Sequence, residues 1–86
     1  MQELADKLVK MPINRARGHT RRLDPDSELL MLRVGVGHEI LTRYRLPNLG
    51  VTVTLVEEVS EAPKRQDSDK LRVTYRFVEA RVEAIV

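Results

Sequence analysis

Apolar and polar residues alternate along the middle of the chain, and this pattern predicts a β-hairpin. The alternation covers residues 40–46 and residues 51–56, with the period of two that belongs to strands with one buried face. Pro47-Asn48-Leu49-Gly50 lies between the two runs. Proline presets φ for a turn, and both Asn and Gly accept positive φ, so a four-residue hairpin loop is predicted.

The length of this loop also predicts which residues pair across the hairpin. On the buried face it gives three pairs: Leu46 with Val51, Tyr44 with Val53, and Thr42 with Leu55. On the opposite face it places arginines beside threonines: Arg45 with Thr52, and Arg43 with Thr54.

A third strand is predicted over residues 71–77, where apolar residues alternate again. The favoured register has three pairs: Val73 with Leu55, Tyr75 with Val53, and Phe77 with Val51. It brings the three aromatic residues of the chain onto one buried face, where packing is a more common role than ligand stacking: Tyr44, Tyr75 and Phe77. It also sets Arg72 and Arg76 beside the two hairpin arginines.

The C-terminal tail, residues 78–86, changes the parity of its apolar positions directly after Phe77, which predicts a bulge or bend. Residues 60–69 are polar and are expected to form a long loop. In the predicted register the tail then lacks a partner in the hairpin. We therefore expect it to pair with residues 29–36 or with a neighbouring subunit, giving a homodimer through residues 78–86. A helical tail is disfavoured because β-branched residues prefer strands.

The N-terminal half gives weaker signals. Residues 2–10 predict a short amphipathic helix that ends before Pro12. Residues 13–23 contain Gly18 and show no period, so they are expected to form a loop or a flexible basic arm. Residues 29–36 fit either a strand buried on both faces or a short helix, and their valines favour the strand.

These elements predict a mainly β, small α+β domain. The sheet is expected to be an antiparallel meander of three to four strands, sandwich- or barrel-like, with a short N-terminal helix and a long C-terminal strand. The 86 residues correspond to a single domain, with the helix and basic arm in residues 1–23 and the β-rich core in residues 27–86.

The composition indicates an expected compartment for the protein, but it does not indicate a specific function. There is no cysteine, and no apolar run approaches the ~20 residues of a membrane span, so the cytoplasm is the expected compartment and no membrane partner is expected. The net charge is only +2. Residues 10–22, however, contain five basic residues and no acidic one, which is a pattern that attracts phosphates or acidic protein surfaces.

Two functions are compatible with these features. The first is a small nucleic-acid-binding or regulatory domain that uses the basic arm and the Arg/Thr face of the sheet, although that face lacks the aromatic residues of single-strand binders. The candidate binding residues are Arg15, Arg17, Arg21, Arg22, Arg43, Arg45, Arg72 and Arg76. The second is a homo-oligomeric structural or assembly subunit.

No catalytic arrangement, cofactor or metal site is expected. Asp24, Asp26 and Glu28 have the opening spacing of a calcium loop, but the glycine and the final glutamate of such a loop are missing, so a helix N-cap or turn is predicted. His19, His38 and Glu39 are the residue types of a zinc site without its usual spacing.

Overall fold

The computed structural model describes residues 2–63 and 71–85, and it consists of two helices followed by a four-stranded antiparallel sheet. The elements are α1 (Gln2–Val9), α2 (Ile13–Arg22), β1 (Glu28–Val36), β2 (Glu39–Leu46), β3 (Val51–Pro63) and β4 (Leu71–Ala84). The strands lie in the order β1-β2-β3-β4, so β1 and β4 form the two edges. The predicted mainly β class, the meander, the N-terminal helix and the long C-terminal strand are confirmed.

The core lies between the two helices and one face of the sheet. Its buried residues come from α1, α2, β2 and β3 and are Leu8, Ala16, Tyr44, Leu46, Val51, Val53 and Leu55. Leu4 packs against this cluster, as the predicted apolar face of α1 requires, and Met11 packs against it just after the helix ends. The helices therefore supply the second layer that a single small sheet needs.

The β2–β3 hairpin has the predicted register at all five pairs. Its turn is closed by a hydrogen bond in which the Gly50 N–H donates to the Pro47 carbonyl over 3.2 Å. Gly50 has a φ of 66°, the left-handed conformation that glycine adopts at little cost. Local turn chemistry was sufficient to define this hairpin.

The predicted register of the third strand is wrong. Phe77 pairs with Glu57 and not with Val51, and Tyr75 pairs with Val59. The reason is that β3 continues to Pro63, so residues 60–63, expected in the loop, belong to the strand. The rest of the predicted loop lies outside the described residues. Because β3 is longer than predicted, the register of β4 against it is shifted by several residues.

The C-terminal tail pairs inside its own chain, but with β3 and not with residues 29–36. Val82 lies opposite Val53, and Ala84 lies opposite Val51. The register shifts between Val56 and Glu57, and Val78 is left without a partner, which confirms the predicted bulge. The tail already pairs with β3, so it no longer needs a neighbouring subunit as a partner. A subunit contact through residues 78–86 stays a prediction.

The basic arm is a helix, which contradicts the prediction of a loop. Ile13, Ala16, Thr20 and Leu23 follow one another at helical spacing and face the core. This apolar stripe is narrow, and the arginines between its residues make it difficult to recognise in the sequence. Arginine is itself a good helix former. Gly18 does not interrupt the helix.

Strand β1 forms as predicted, but its predicted burial on both faces is wrong. Most of its apolar side chains are about half exposed, and the pairing with β2 shifts twice, between Leu29 and Met31 and between Met31 and Val34. Arg33 lies in the irregular part and has a φ of 50°. The residues after Asp24 form a turn and not a helix, so the N-cap alternative is also wrong.

Only one of the three aromatic residues is at the centre of the core. Tyr44 is 2% exposed, Phe77 packs at the margin of the core, and Tyr75 is 51% exposed. The guanidinium carbon of Arg33 lies 4.7 Å from the centre of the Tyr75 ring, a cation–π distance. The register of β4 explains the correction, because it carries Tyr75 past the core towards the far end of the β3–β4 hairpin.

Candidate nucleic-acid interface

Helix α2 carries four of the eight predicted binding residues. Ala16 and Thr20 are fully buried beneath it, and the Thr20 hydroxyl donates to the Ala16 carbonyl over 2.7 Å. Arg15, Arg21 and Arg22 are exposed on the outer surface, while Arg17 is half-buried at its flank. These four side chains are the basic cluster of α2, and the helix contains no acidic residue to neutralise it.

A buried carboxylate fastens the C-terminal end of α2 to the sheet. Asp24, which is 1% exposed, accepts hydrogen bonds from the backbone N–H of Asp26 at 2.8 Å and of Asn48 at 2.8 Å. The Asn48 side-chain amide also donates to Asp24, over 2.6 Å. This network joins the residues after α2 to the β2–β3 turn, so the basic cluster is held in a fixed place on the domain.

The same network determines the charge state of Asp24. Burial alone would raise the pKa of this carboxyl group, but the hydrogen bonds from Asp26, Asn48 and Leu49 outweigh it and hold the pKa below its ordinary value. Asp24 is therefore ionised at neutral pH, and its carboxylate accepts hydrogen bonds from the residues of the turn.

None of the four arginines of the basic cluster forms an ion pair with a residue in the part of the chain that the structure describes. The Nε atom of Arg17 is also buried without a hydrogen-bond partner among those residues. Buried polar atoms nearly always have a partner, which a water molecule or a bound acceptor can supply.

His19 lies on the same helix and adds no charge at neutral pH. Its partial burial lowers the pKa of the imidazole, and the neighbouring cations Lys7 and Arg22 lower it further. Only the part of this shift that comes from Lys7 and Arg22 reflects a positive local potential around the last turn of α2. A bound phosphate would reverse this effect and make protonation easier.

A groove of about 650 Å³ separates α2 from β1. Arg17, Arg21 and Arg22 line one wall of the groove, and Leu29 and Leu32 of β1 line the other. Ser27 and Tyr44 also contribute to it. The basic cluster therefore has both a convex surface along the helix and a concave one beside it.

The candidate arginines of the sheet are mostly engaged with other side chains. The Nε–H of Arg43 donates to the Thr54 hydroxyl over 3.0 Å. Arg45 lies 3.8 Å from a carboxylate oxygen of Glu28, and Arg76 lies 3.8 Å from one of Glu58. Arg72 is exposed near the far end of β4, opposite Ala62. The structure thus separates the eight candidates and does not bring them together into one surface.

The corrected register also changes the charge of the sheet face. Glu79 and Glu83 lie opposite Val56 and Thr52, at the positions where the sequence had suggested Arg72 and Arg76. Arg81, which was not predicted, lies opposite Thr54 and forms an ion pair with Glu79 at 2.9 Å. This pair lowers the pKa of Glu79 and raises that of Arg81. The face is a balanced mixture of charges and is poorly suited to phosphate.

The residue types considered for zinc do not converge. His19 lies on α2, whereas His38 lies in the β1–β2 turn at the opposite end of β2 from the Asp24 network. Among residues 2–63 and 71–85, no group of three or more His, Cys, Asp or Glu side chains could hold a metal ion.

The described residues contain no helix with the length and the apolar composition of a membrane span.

Comparisons with known proteins do not extend this description. No family model matches the chain, and no curated protein or solved structure is similar to it.

Proposed function

We propose that this chain is a non-enzymatic nucleic-acid-binding domain that contacts the phosphate backbone through α2. The observation that carries the proposal is the basic cluster of α2, four arginines on one helix without an acidic neighbour in the helix or an ion-pair partner among the described residues. Arginines without an ion-pair partner can bind phosphate without first breaking an existing contact, and guanidinium groups match phosphate geometry.

Duplex nucleic acid suits this surface better than a single strand. The ten residues of α2 form a rod roughly 15 Å long, which can lie along a backbone or in a major groove. Single-strand binders rely on exposed aromatic side chains for stacking. Tyr44, the aromatic residue beside α2, is buried. Contacts from the basic cluster would position the domain on a duplex with little preference for sequence.

Fluorescence anisotropy with a labelled duplex, measured between about 50 and 200 mM salt, tests the proposal. Each neutralised phosphate contributes about −0.9 to the slope of log K against log salt, so engagement of the basic cluster predicts a slope of about −3 to −4. The triple variant R15A/R21A/R22A changes only exposed side chains. We expect it to lose at least about two units of this slope and to keep its melting temperature, since alanine is a good helix former.

The matched control is R43A/R45A/R76A, which removes the same charge from sheet arginines that already have partners. It should keep most of the salt slope. Equal losses in both triple variants would show that only net charge matters and would contradict a site on α2. No binding of the intact protein to duplex at about 50 mM salt would overturn the nucleic-acid proposal and favour an acidic protein surface as the partner.

A further inference from the structure

Strand β1 carries the largest group of exposed apolar side chains in the described part of the molecule. Five of its nine residues are large, apolar and 41–52% exposed: Leu29, Leu30, Leu32, Val34 and Val36. The group includes neighbouring residues, so both faces of the strand are exposed. Isolated exposed leucines are ordinary, but a continuous apolar strand indicates a contact surface.

The position of β1 in the sheet explains why its own chain leaves it uncovered. It is an edge strand with β2 on one side. The helices pack against other strands, α1 against β4 and α2 against β3, and a groove separates α2 from Leu29 and Leu32 of β1. One side of the β1 backbone and most of its side chains therefore face outwards. An uncovered apolar edge of this kind promotes association between chains.

Charge distinguishes β1 from the other edge of the sheet. The two charged residues of β1 are paired within the chain, Glu28 with Arg45 and Arg33 with Glu57. Two β1 strands can thus approach each other without unpaired like charges. The β4 edge, in contrast, carries charges along its length, at Arg72, Arg76, Glu79, Arg81 and Glu83. Charges of this type protect an edge from association.

We propose that a second copy of this chain covers β1, and that two β1 strands meet across a two-fold axis. The five exposed side chains offer on the order of 400 Å² of apolar surface per copy, which is about half of the ~800 Å² per partner buried in a stable interface. This share is somewhat below the apolar fraction of protein interfaces, about 56–65%, in which a polar rim supplies the remainder. A two-fold contact also covers both copies at once.

The irregularity of β1 defines the type of contact. The two register shifts and the positive φ of Arg33 interrupt the strand, so a long continuous ladder of backbone hydrogen bonds between copies is not expected. Contacts between side chains, and not backbone strand pairing, therefore hold the two copies together. Interrupted edges also resist open-ended growth of a sheet, so the assembly closes as a dimer.

Size-exclusion chromatography with light scattering, applied to the intact protein at about 10–100 µM, tests this inference. We expect a mass of twice the 9.9 kDa chain. L30K and V36K each place a cation on both sides of the contact at an exposed position. Each should raise the dimer dissociation constant by about 100-fold or more, because like charges would be buried together. Circular dichroism should show an unchanged fold, since neither side chain belongs to the core.

The matched controls change equally exposed apolar residues away from β1. Leu49 is 51% exposed in the β2–β3 turn, and Val73 is 44% exposed on β4. L49K and V73K should remain dimeric. A monomeric intact protein at about 100 µM, a dimer that survives both β1 variants, or a dimer broken only by V73K would each overturn the inference. Polydisperse, concentration-dependent growth would overturn the closed two-fold form.

Discussion

At the scale of single residues, Arg33 and Asp24 each hold two parts of the fold together with one side chain. Arg33 has a positive φ, donates from Nε to Glu57 over 3.2 Å and covers the Tyr75 ring. Glu57 is only 3% exposed, so Arg33 supplies the partner that this buried carboxylate requires. The backbone strain at Arg33 is offset by two contacts that hold the irregular half of β1 against the β3–β4 hairpin.

The Asp24 network makes stability depend on pH. The folded protein holds the pKa of Asp24 below its ordinary value of 3.8, so the stabilisation is fully present above that pH. It is lost as the pH falls through the depressed pKa of the folded state, where the carboxylate becomes protonated. In denaturant titrations we expect D24N to be less stable than the original protein at pH 7.

The same comparison should be repeated at decreasing pH. The stability difference between the original protein and D24N should shrink as the pH falls from 3.8 through the depressed pKa of folded Asp24, because the folded protein then takes up the proton and both proteins carry a neutral group at this position. D26N is the control, since Asp26 also contacts Asn48 but is exposed. A D24N difference that stays constant from pH 7 to about pH 2 would show that the charge of Asp24 does not contribute.

At the scale of elements, the sequence predicted those structures whose signals are local. The β2–β3 hairpin was correct in every pair because Pro47 to Gly50 defines its own turn. The bulge at Val78 was visible as a change of parity. The register of β4 was not predictable, since it depends on where β3 ends, and Ser60 to Pro63 have turn-like composition although they lie in a strand.

Helix α2 was missed for a different reason. Its apolar stripe consists of Ile13, Ala16, Thr20 and Leu23, and two of these residues are too small or too polar to stand out in a hydropathy pattern. The binding hypothesis was therefore placed on a flexible arm. The sequence listed the candidate arginines, but only the fold could show which of them share one helix and have no ion-pair partner among the described residues.

Gly18 provides a test of α2 as an element. A Cβ atom added there would lie 3.1 Å from Nη1 of Arg22, the mobile end of a long side chain, and its backbone φ is not in the left-handed region. The guanidinium can move by a few tenths of an ångström at little cost. We therefore expect G18A to raise the free energy of unfolding by about 0.5–1 kcal/mol, the usual gain for alanine over glycine inside a helix.

Chemical denaturation of G18A measures this gain directly. G37A is the matched control, because Gly37 lies in the β1–β2 turn with a φ of 62° and an open environment. It should lose stability through backbone strain alone. A destabilised G18A with unchanged helix content would mean that Arg22 is held rigidly against the helix.

At the scale of the whole molecule, the order of the sheet predicts a gradient of local stability. The N-terminal half of β3 is paired on both sides and lies beneath the core cluster, whereas β1 is an irregular edge. Native-state hydrogen exchange should be slowest for the amides of residues 51–56 and fastest among the strands for those of β1.

The same hydrogen-exchange experiment also tests whether two copies associate through β1. If two copies meet through β1, protection of its amides should rise with protein concentration, while protection in β3 stays constant. L30K supplies the control, since it should abolish the concentration dependence without changing β3. Concentration-independent exchange in β1 of a dimeric sample would place the contact between copies elsewhere.

Val78 makes the packing of β4 sensitive to the deletion of a single residue. β4 has 14 residues against the 13 of β3, and the extra residue works as a spacer between two out-of-phase halves of one strand. Loss of that single residue would leave composition and length almost unchanged. Either half would then have to turn over, carrying Glu79, Arg81 and Glu83 towards the helices in place of Ala80, Val82 and Ala84. At this position a change in the number of residues matters far more than a change in their identity.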